Sequence, residues 1–165
     1  MLNSTDFNTT KSNKYRLDIE YIPNISFWCS DVNLPGLSLN PIRYATPKFN
    51  VPIHGDKLEF TSLNITFNVD EYYKNWEEIY LWMRKLSGVK SLDPEYKDLR
   101  DNDKLYSTAT LFLLTNKLNV ARSIAFFGIH PISLSDVQLS TKDSNVPACS
   151  VTFEYEYYEM KGLNE

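Results

Sequence analysis

The sequence is poor in the residues from which most catalytic and metal-binding sites are built. Its 165 residues include two histidines, two cysteines and five glycines. His54 and His130 stand apart, without the paired His or Cys spacing of a metal site. The few glycines form no phosphate-binding loop, and no serine lies in a nucleophile elbow. We therefore predict no catalytic residue, no metal and no cofactor, although a site assembled only in three dimensions leaves no such pattern.

Excess positive charge and long apolar runs are also missing. The net charge is −4, whereas a general nucleic-acid-binding surface needs clustered Lys and Arg. The longest apolar runs, Ala109–Leu114 and Ile124–Ile129, are too short to span a bilayer. The N-terminus lacks the apolar stretch of a signal peptide, and Cys29 and Cys149 are predicted to be buried free thiols. These features favour a reducing, cytosolic origin and no membrane segment.

Aromatic residues are abundant. They make up 14% of the chain, with eleven Tyr and nine Phe. Flat rings pack well on pleated sheets, and Tyr is common at interfaces because its hydroxyl keeps a polar partner. The composition therefore favours a mainly β protein that has a partner.

Apolar and polar residues alternate with a period of two, which predicts β-strands. The first strand runs from Tyr15 to Tyr21, and Pro23-Asn24 turns the chain into Ile25–Cys29, predicted as the second strand of a hairpin. Further strands are predicted at Leu58–Val69 (with a bulge or bend at Thr61-Ser62), Ser107–Thr115, Ala121–Ile129 (closed by His130-Pro131) and Cys149–Tyr157, and a short irregular segment or strand at Leu134, Val137 and Leu139.

Other segments predict the domain organisation. Residues 1–13 lack an apolar period and are predicted to be a flexible arm, followed by one β domain over residues 14–160 and a tail at 161–165. Leu34–Pro52 holds a proline every five or six residues, so it cannot be a central strand. Its apolar residues favour an extended segment that packs against something. The charged stretch Lys90–Lys104 predicts an exposed loop.

One helix is predicted between Asp70 and Gly88. Asp70 can cap it, Glu71 opposes the dipole in its first turn, and Gly88 ends it. Apolar residues recur at steps of four and three, which makes one stripe that we interpret as core packing against a sheet. The stripe consists of Tyr72, Trp76, Ile79, Met83 and Leu86.

Acidic residues occupy the polar faces of the first and last predicted strands. Asp18 and Glu20 alternate with apolar residues in the first strand, and Glu154 and Glu156 do so in the last. Within each strand they therefore share the face opposite the core. This is either the solvated outer face of an antiparallel sheet or a functional acidic surface.

The order of several motifs resembles the tail tube proteins of contractile-tailed bacteriophages. The first motif is Ile25–Cys29 followed by Leu34-Pro35-Gly36. The second is Gly55-Asp56, which leads through the apolar residues Phe60, Leu63, Ile65 and Phe67 into Asp70-Glu71 and the helix. The third is Phe127–Pro131, followed by Leu134, Val137, Leu139 and the Val151–Tyr158 strand. Each motif alone is common, so the resemblance rests on their order over Tyr15–Met160.

The resemblance implies an antiparallel β-sandwich or partial barrel with one flanking helix. Six copies would close a β-barrel ring, and rings would stack into a tube through which DNA passes without specific binding. The tube would be a part of the virion tail, assembled in the host cytoplasm, with sheath or baseplate proteins as outer partners. It also implies an acidic lumen formed by Asp18, Glu20, Glu154 and Glu156, and a ring-stacking segment that includes Leu39, Ile42, Tyr44 and Phe49.

Other hypotheses stay open at this point. Within the same class are a baseplate initiator ring, a tail terminator ring and a type VI secretion tube subunit. A different class is a monomeric β-barrel whose aromatic residues line a cavity for a small apolar ligand. An enzyme is the last hypothesis. Native mass separates these classes, since hexamers and polymers favour the tube and a monomer favours the ligand binder.

Overall fold

The computed structural model describes residues 11–88, 105–142 and 145–162. The predicted loop Lys90–Lys104 and the first ten residues of the predicted N-terminal arm lie outside them. The elements are β1 (Tyr15–Ile19), α1 (Ile25–Trp28), β2 (Cys29–Val32), β3 (Leu37–Leu39), β4 (Ile42–Ala45), β5 (Asn50–Ile53), β6 (Leu58–Phe60), β7 (Leu63–Asn68), α2 (Lys74–Ser87), β8 (Ser107–Leu114), β9 (Val120–Leu134), β10 (Ala148–Glu154) and β11 (Tyr157–Gly162).

Seven strands form one large antiparallel sheet. Its order is β1-β8-β9-β10-β7-β2, and β11 also pairs with β9. The long strand β9 pairs with β8 and β11 up to Ile129 and with β10 from His130 onward. We call β1, β8, β11 and the first part of β9 the first half-sheet, and the rest of β9 with β10, β7 and β2 the second. The predicted fold class, mainly antiparallel β with a flanking helix, is confirmed, and over the described ranges a single copy forms no closed barrel.

The bend between the half-sheets lies at Gly128. Its φ of 67° is in the left-handed region, and the β8–β9 register slips beside it, as in a β-bulge. The prediction that His130-Pro131 closes this strand is wrong, because β9 continues to Leu134. Proline is tolerated here because β9 pairs only with β10 at this level, where Pro131 lies opposite Phe153.

The predicted closing strand Cys149–Tyr157 is two strands. β10 ends at Glu154 and pairs within the second half-sheet, whereas β11 begins at Tyr157 and pairs within the first. The break lies opposite the Gly128 bulge, where the Glu156 N–H donates to the Phe127 carbonyl at 2.9 Å. β9 and the β10–β11 segment therefore bend at the same level, and the alternation of apolar and polar residues cannot reveal such a bend.

The predicted hairpin between the first strand and Ile25–Cys29 is also wrong. Residues 25–28 form the one-turn helix α1, and β2 after it pairs with β7 in the other half-sheet. Pro23-Asn24 begins a helical turn, in which the Phe27 N–H bonds the Asn24 carbonyl at 3.3 Å. As a result Ile25 is buried and Phe27 is 82% exposed.

The bend predicted at Thr61-Ser62 is confirmed. β6 before it pairs with β3, and β7 after it joins the main sheet. The proline-rich stretch is likewise absent from the main sheet, as predicted. It forms two successive two-stranded ladders, β3 with β6 and β4 with β5. We call this segment, Leu37–Phe60, the arm.

The helix α2 begins later than predicted. It starts at Lys74, after Tyr73 in a left-handed conformation with φ 57°. Asp70 is therefore not the residue directly before the helix, and Glu71 is not in its first turn. The Asp70 Oδ1 nevertheless accepts a hydrogen bond from the N–H of Asn75, the second residue of α2, at 3.4 Å. Tyr72 therefore precedes the helix and is 73% exposed, so its assignment to the core stripe is wrong. The predicted end at Gly88 is confirmed, with φ 62°.

The core lies between the half-sheets and against α2. Ile79 and Trp82 are fully buried helix residues, and Trp82 donates its Nε1–H to the Leu105 carbonyl at 2.9 Å. The other predicted stripe residues, Trp76, Met83 and Leu86, pack on this core while half-buried. Cys149 is a buried free thiol, but Cys29 is only half-buried, at the edge of the sheet.

Candidate assembly surfaces

The first half-sheet ends in two strand edges that have no pairing partner within residues 11–88, 105–142 and 145–162. These edges belong to β1 and β11. Leu114 donates to the Lys14 carbonyl at 2.9 Å, and Glu20 donates to the Thr108 carbonyl at 3.0 Å. Even-numbered residues of β1 therefore bond to β8, and odd-numbered ones such as Leu17 direct their N–H and C=O outward. Such edges invite pairing with another strand.

A groove of about 480 Å³ separates the β1 edge from the β2 edge. Tyr15 crosses it and donates its hydroxyl to the Ser30 carbonyl at 2.6 Å. Burial raises the pKa of Tyr15 to about 12 and also raises the pKa of the Cys29 thiol. Polar residues, among them Arg16 and Asp31, outnumber the apolar Leu17 and Val32 in its lining, unlike the mostly apolar lining of a small-molecule site.

The outer face of the first half-sheet carries the polar side chains of β1 and β11. Asp18 accepts bonds from Arg16, at 3.1 Å, and from Ser26 Oγ, at 3.0 Å. The Thr108 hydroxyl donates to Glu20 Oε2 at 3.0 Å. Glu159 lies on the exposed edge strand β11. This face therefore carries charged groups alongside aromatic ones, such as the Phe112 ring, over which the Arg16 guanidinium lies at 4.6 Å.

The four acidic residues singled out in the sequence lie in different parts of the sheet. Asp18 and Glu20 belong to the first half-sheet, whereas Glu154 ends β10 in the second, beside Thr61 and Ser62 at the base of the arm. Glu156 lies in the break, and a Cβ on Gly128 would be 2.8 Å from its Cγ. The break between β10 and β11 separates Glu154 from Glu156, and the acidic lumen that includes these residues stays a prediction.

Sequence reasoning missed Glu159 and Lys161. The prediction ended the last strand at Tyr157 and placed residue 161 in a tail, but β11 continues to Gly162. Glu159 and Lys161 lie opposite Ala125 and Ser123 on the outer face. Continued alternation of polar and apolar residues past Tyr157 was the signal that could have found them.

The arm exposes an apolar face. Its cross-strand partners are apolar in four pairs: Leu37 with Phe60, Leu39 with Leu58, Ile42 with Ile53, and Tyr44 with Val51. Directly opposed side chains share one face of their ladder. The predicted stacking residues Leu39, Ile42, Tyr44 and Phe49 are between 54% and 66% exposed. The arm thus presents apolar surface that no described part of the same copy covers.

The base of the arm is fixed to the main sheet. Tyr155 donates its hydroxyl to the Thr61 carbonyl at 2.7 Å, and Tyr158 donates to the Pro35 carbonyl at 3.3 Å. The Phe60 ring packs edge-on against both tyrosine rings, at 5.9 and 5.3 Å between centroids. This aromatic cluster sets the direction in which the arm leaves the sheet.

Two further features concern residues 11–88, 105–142 and 145–162. No group of three or more His, Cys, Asp or Glu side chains is placed to hold a metal ion. The helices there also include none with the length and apolar character needed to cross a bilayer.

The fold is similar to solved components of contractile injection systems. One is from the anti-feeding prophage baseplate (TM-score 0.67, 12% identity, 96% of this chain and 99% of that one). Another is from the cap that terminates the anti-feeding prophage tube (TM-score 0.69, 11% identity, 98% and 99%). A third is from the extended sheath–tube complex of the PVC extracellular contractile injection system (TM-score 0.64, 12% identity, 96% and 95%). No curated protein matches the sequence.

These similarities define the class of fold, that of the tube, terminator and baseplate components of contractile injection systems. The sequence defines the family. The phage tail tube protein family matches residues 3–161, almost the whole chain, and the protein belongs to this family. The resemblance read from the motif order is thereby confirmed, and membership supports a structural, tail-tube-like role.

Proposed function

We propose that this protein is the structural subunit of a phage tail tube, built from stacked hexameric rings through which DNA passes. The observation that carries the proposal is the arm. Four apolar cross-strand pairs lie outside the core, with side chains such as Tyr44 64% exposed. A two-stranded ladder is marginally stable in water, and an exposed apolar patch of this kind marks a protein contact. A neighbouring ring in a stack supplies that contact.

Rings close through the edges of the first half-sheet. Its two edge strands, β1 and β11, are antiparallel to each other, because each is separated from the next by an antiparallel pairing. A β11 edge can therefore continue the sheet of the next copy's β1 edge as an ordinary antiparallel ladder. Repeating this around a ring removes every edge of the first half-sheet, which is how barrels avoid aggregation.

The outer face of the first half-sheet lines the lumen in this arrangement. Its charged residues, including the two that flank β1, sum to zero per copy: Lys14, Arg16, Asp18, Glu20, Glu159 and Lys161. The second half-sheet and α2 lie on the other side of the core, toward a sheath or baseplate partner. A wall without excess positive charge gives DNA no counterion-release binding site.

Removing the outer ladder of the arm tests the proposal. A Cβ on Gly55 would lie 1.8 Å from the Asn40 carbonyl oxygen, so the backbone at these two residues passes close enough to be joined. Deleting residues 41–54 joins Asn40 directly to Gly55 and leaves the four-residue loop Asn-Gly-Asp-Lys between the paired residues Leu39 and Leu58, a loop length that hairpins commonly use. We expect this variant to form single rings and no tubes in electron micrographs, while the full chain forms tubes. Tubes of unchanged length from the deletion variant would contradict stacking through the arm.

The monomeric ligand-binding hypothesis is tested by the same samples. Native mass spectrometry of the full chain should show multiples of six copies. A stable monomer at high concentration would contradict the tube, and a dominant symmetry other than six-fold would contradict the hexameric ring.

A further inference from the structure

The charged residues of the first half-sheet are separated by sign along its strands. The pairing register places each of them on one side of a central row that consists of Leu17, Leu111, Ile124 and Met160. Within residues 14–20, 107–129 and 156–162, the cations lie toward the β8–β9 turn: Lys14, Arg16, Lys117, Arg122 and Lys161. The carboxylates of the same ranges lie toward the Gly128 bend: Asp18, Glu20, Glu156 and Glu159. We call the two sides the basic end and the acidic end.

The β8–β9 turn, residues 115–119, closes the basic end and contains a strained leucine. Leu118 has a φ of 64°, a conformation that glycine adopts readily and that is unusual for a bulky side chain. Its N–H donates to the Thr115 carbonyl at 2.9 Å, and the Thr115 N–H donates to the Asn119 carbonyl at 2.8 Å. These bonds use only backbone atoms, so glycine would make them with less strain. The turn alone therefore does not account for a leucine at this position.

The side chains of the turn point into solvent. Leu118 is 61% exposed, and the neighbouring Lys117 is exposed as well. Strained residues are retained where function constrains them, and an exposed leucine in a turn can contact another protein surface. The turn thus presents an apolar side chain next to a positive charge.

The acidic end offers a complementary hollow of about 400 Å³. Glu20, Tyr21 and Tyr106 contribute to its lining. Tyr106 is 57% exposed, and its ring packs edge-on against the His130 ring at 5.2 Å between centroids. The hollow therefore combines exposed aromatic surface with negative charge. Attraction between the two ends depends on their overall signs, so it does not require a carboxylate without a partner in its own copy.

The turn and the hollow lie at opposite ends of the same strands. β8 alone, with eight residues, spans about 23 Å at about 3.3 Å per residue, so Leu118 and Tyr106 of one copy cannot touch. Barrel strands are tilted from the axis by about 35–45°, so the two ends face opposite sides of a ring. When identical rings stack in the same direction, the basic end of one ring meets the acidic end of the next. Such head-to-tail contacts repeat without closing, as a tube requires.

We propose that the β8–β9 turn is a second ring-stacking element, in which Leu118 of one copy packs against Tyr106 of a copy in the next ring. Lys117 then faces the acidic end of that copy. This inference rests on the proposed tube and adds a contact to the one made by the arm. The charge pattern also sets the direction of stacking, because two basic ends or two acidic ends would repel each other.

The position of the arm supports the same contact. The base of the arm, at Thr61, lies beside Glu154, and Glu154 pairs with His130 just past the Gly128 bend. The arm therefore leaves the copy at the acidic end. The arm of one ring and the β8–β9 turn of the next belong to one interface.

Cross-linking of engineered cysteines tests the contact directly. Leu118→Cys combined with Tyr106→Cys places thiols at the two ends, and bismaleimidoethane is too short to join them within one copy. We expect assembled tubes of this variant to give a covalent ladder that extends beyond six copies on a denaturing gel. The unmodified chain with its native cysteines, and each single variant, should give none. The same cysteine pair in single rings of the variant that lacks residues 41–54 should also stay unlinked.

Leu118→Gly separates assembly from folding. Glycine relieves the positive φ, so the free energy of unfolding of a single copy should stay the same or rise. Loss of the leucine should nevertheless raise the concentration needed for half-assembly, measured by sedimentation, by about tenfold. A lower free energy of unfolding would show that the leucine serves the single copy, and it would overturn the inference.

Lys117→Glu tests the electrostatic part of the contact. The change should raise the concentration needed for half-assembly by about two- to fivefold at low salt. The difference from the unmodified chain should disappear in about 1 M salt, where charges are screened beyond about 3 Å. Lys74→Glu on α2 makes the same charge change away from both ends and should leave assembly unchanged. An equal effect of the two variants would contradict a contact at Lys117.

The outcomes separate this inference from the proposed function. Tubes that give no ladder from the Leu118→Cys and Tyr106→Cys pair would overturn the turn contact and leave the tube and the arm standing. The same holds if Leu118→Gly assembles at an unchanged concentration. An unmodified chain that forms no tubes would overturn both.

Discussion

The core and the arm are built from the same local pattern and have opposite surroundings. Both are antiparallel ladders with apolar side chains paired across strands. In the core, Ile65 and its partner Val151 are at most 1% exposed, whereas in the arm Leu39 and its partner Leu58 are about half exposed. Core pairs stabilise one copy, and arm pairs contribute only when another copy covers them. The contrast separates residues for folding from residues for assembly.

The largest effect on the free energy of unfolding should come from Trp82. Its ring is fully buried, lies against Tyr21 and donates to the Leu105 carbonyl. We expect Trp82→Ala to cost about 3–5 kcal/mol, measured by urea unfolding. Phe27→Ala is the matched control, because Phe27 is 82% exposed and its loss should cost less than about 0.5 kcal/mol. Similar losses at both positions would contradict the assignment of the core.

Trp76 sharpens this comparison within the same helix. The sequence alone placed Trp76 in the core stripe, but it is half-buried, while Trp82 is fully buried. We expect Trp76→Ala to cost clearly less than Trp82→Ala in the same urea titration. A larger loss for Trp76→Ala would restore the predicted stripe.

The Gly128→Ala change should have an intermediate effect on the free energy of unfolding. Its φ of 67° costs a side-chain-bearing residue about 1–2 kcal/mol, and the bend between the half-sheets depends on it. Gly128→Ala should therefore lower the free energy of unfolding by about that amount. Gly36→Ala is the control, since its new Cβ would meet its nearest neighbour, Thr61 Oγ1, at 3.9 Å without a positive φ. Equal effects would show that the bend does not need glycine.

Tyr155, at the base of the arm, should have a smaller effect on the free energy of unfolding, and this effect should depend on pH. Burial raises the pKa of Tyr155 to about 12, above the ordinary value of 10. Its neutral form is therefore favoured in the folded state. The resulting stabilisation is present below about pH 10 and is lost as the pH rises through about 12.

The Tyr155→Phe variant measures how much the buried hydroxyl contributes to the free energy of unfolding. Tyr155→Phe removes the hydrogen bond to Thr61 and should cost about 1 kcal/mol at pH 8. The gap between the two proteins should close as the pH rises from 10 to 12. Tyr44→Phe, on the exposed arm, is the matched control and should change the free energy of unfolding at pH 8 by less than about 0.5 kcal/mol. A constant gap at every pH would contradict the role of the buried hydroxyl.

The smallest effect on a single copy should come from the arm itself. Exposed side chains contribute little to the free energy of unfolding, so Ile42→Ser with Tyr44→Ser should change it by less than about 0.5 kcal/mol. Tube length in electron micrographs should nevertheless collapse. A variant that is strongly destabilised as a monomer would place these residues in a core instead.

Sequence patterns predicted the parts of the fold that depend on local chemistry. Alternation located β1, β7 and β8, the prolines excluded Leu34–Pro52 from the main sheet, and Gly88 marked the end of the helix. They failed where tertiary pairing decides. The division of the closing segment into β10 and β11 follows from the bulge at Gly128 on another strand, and α1 follows from a turn begun at Pro23.

The candidate surfaces were predictable to a different degree. The arm residues were visible as apolar side chains among prolines, a composition that a solvated loop does not need. The charged residues on the outer face of the first half-sheet were predictable only in part. Asp18 and Glu20 belong to a segment of clear alternation, whereas Glu159 and Lys161 follow a break that was not predicted. The position of Glu159 and Lys161 on the outer face depends on the pairing register with β9, which no single strand specifies.

A cryo-EM map of tubes assembled from the full chain tests the central claim most directly. We expect six copies per ring, the outer face of the first half-sheet lining the lumen, and the apolar face of each arm buried against the adjacent ring. A map in which Leu39, Ile42 and Tyr44 stay exposed to solvent in the assembled tube would contradict the account.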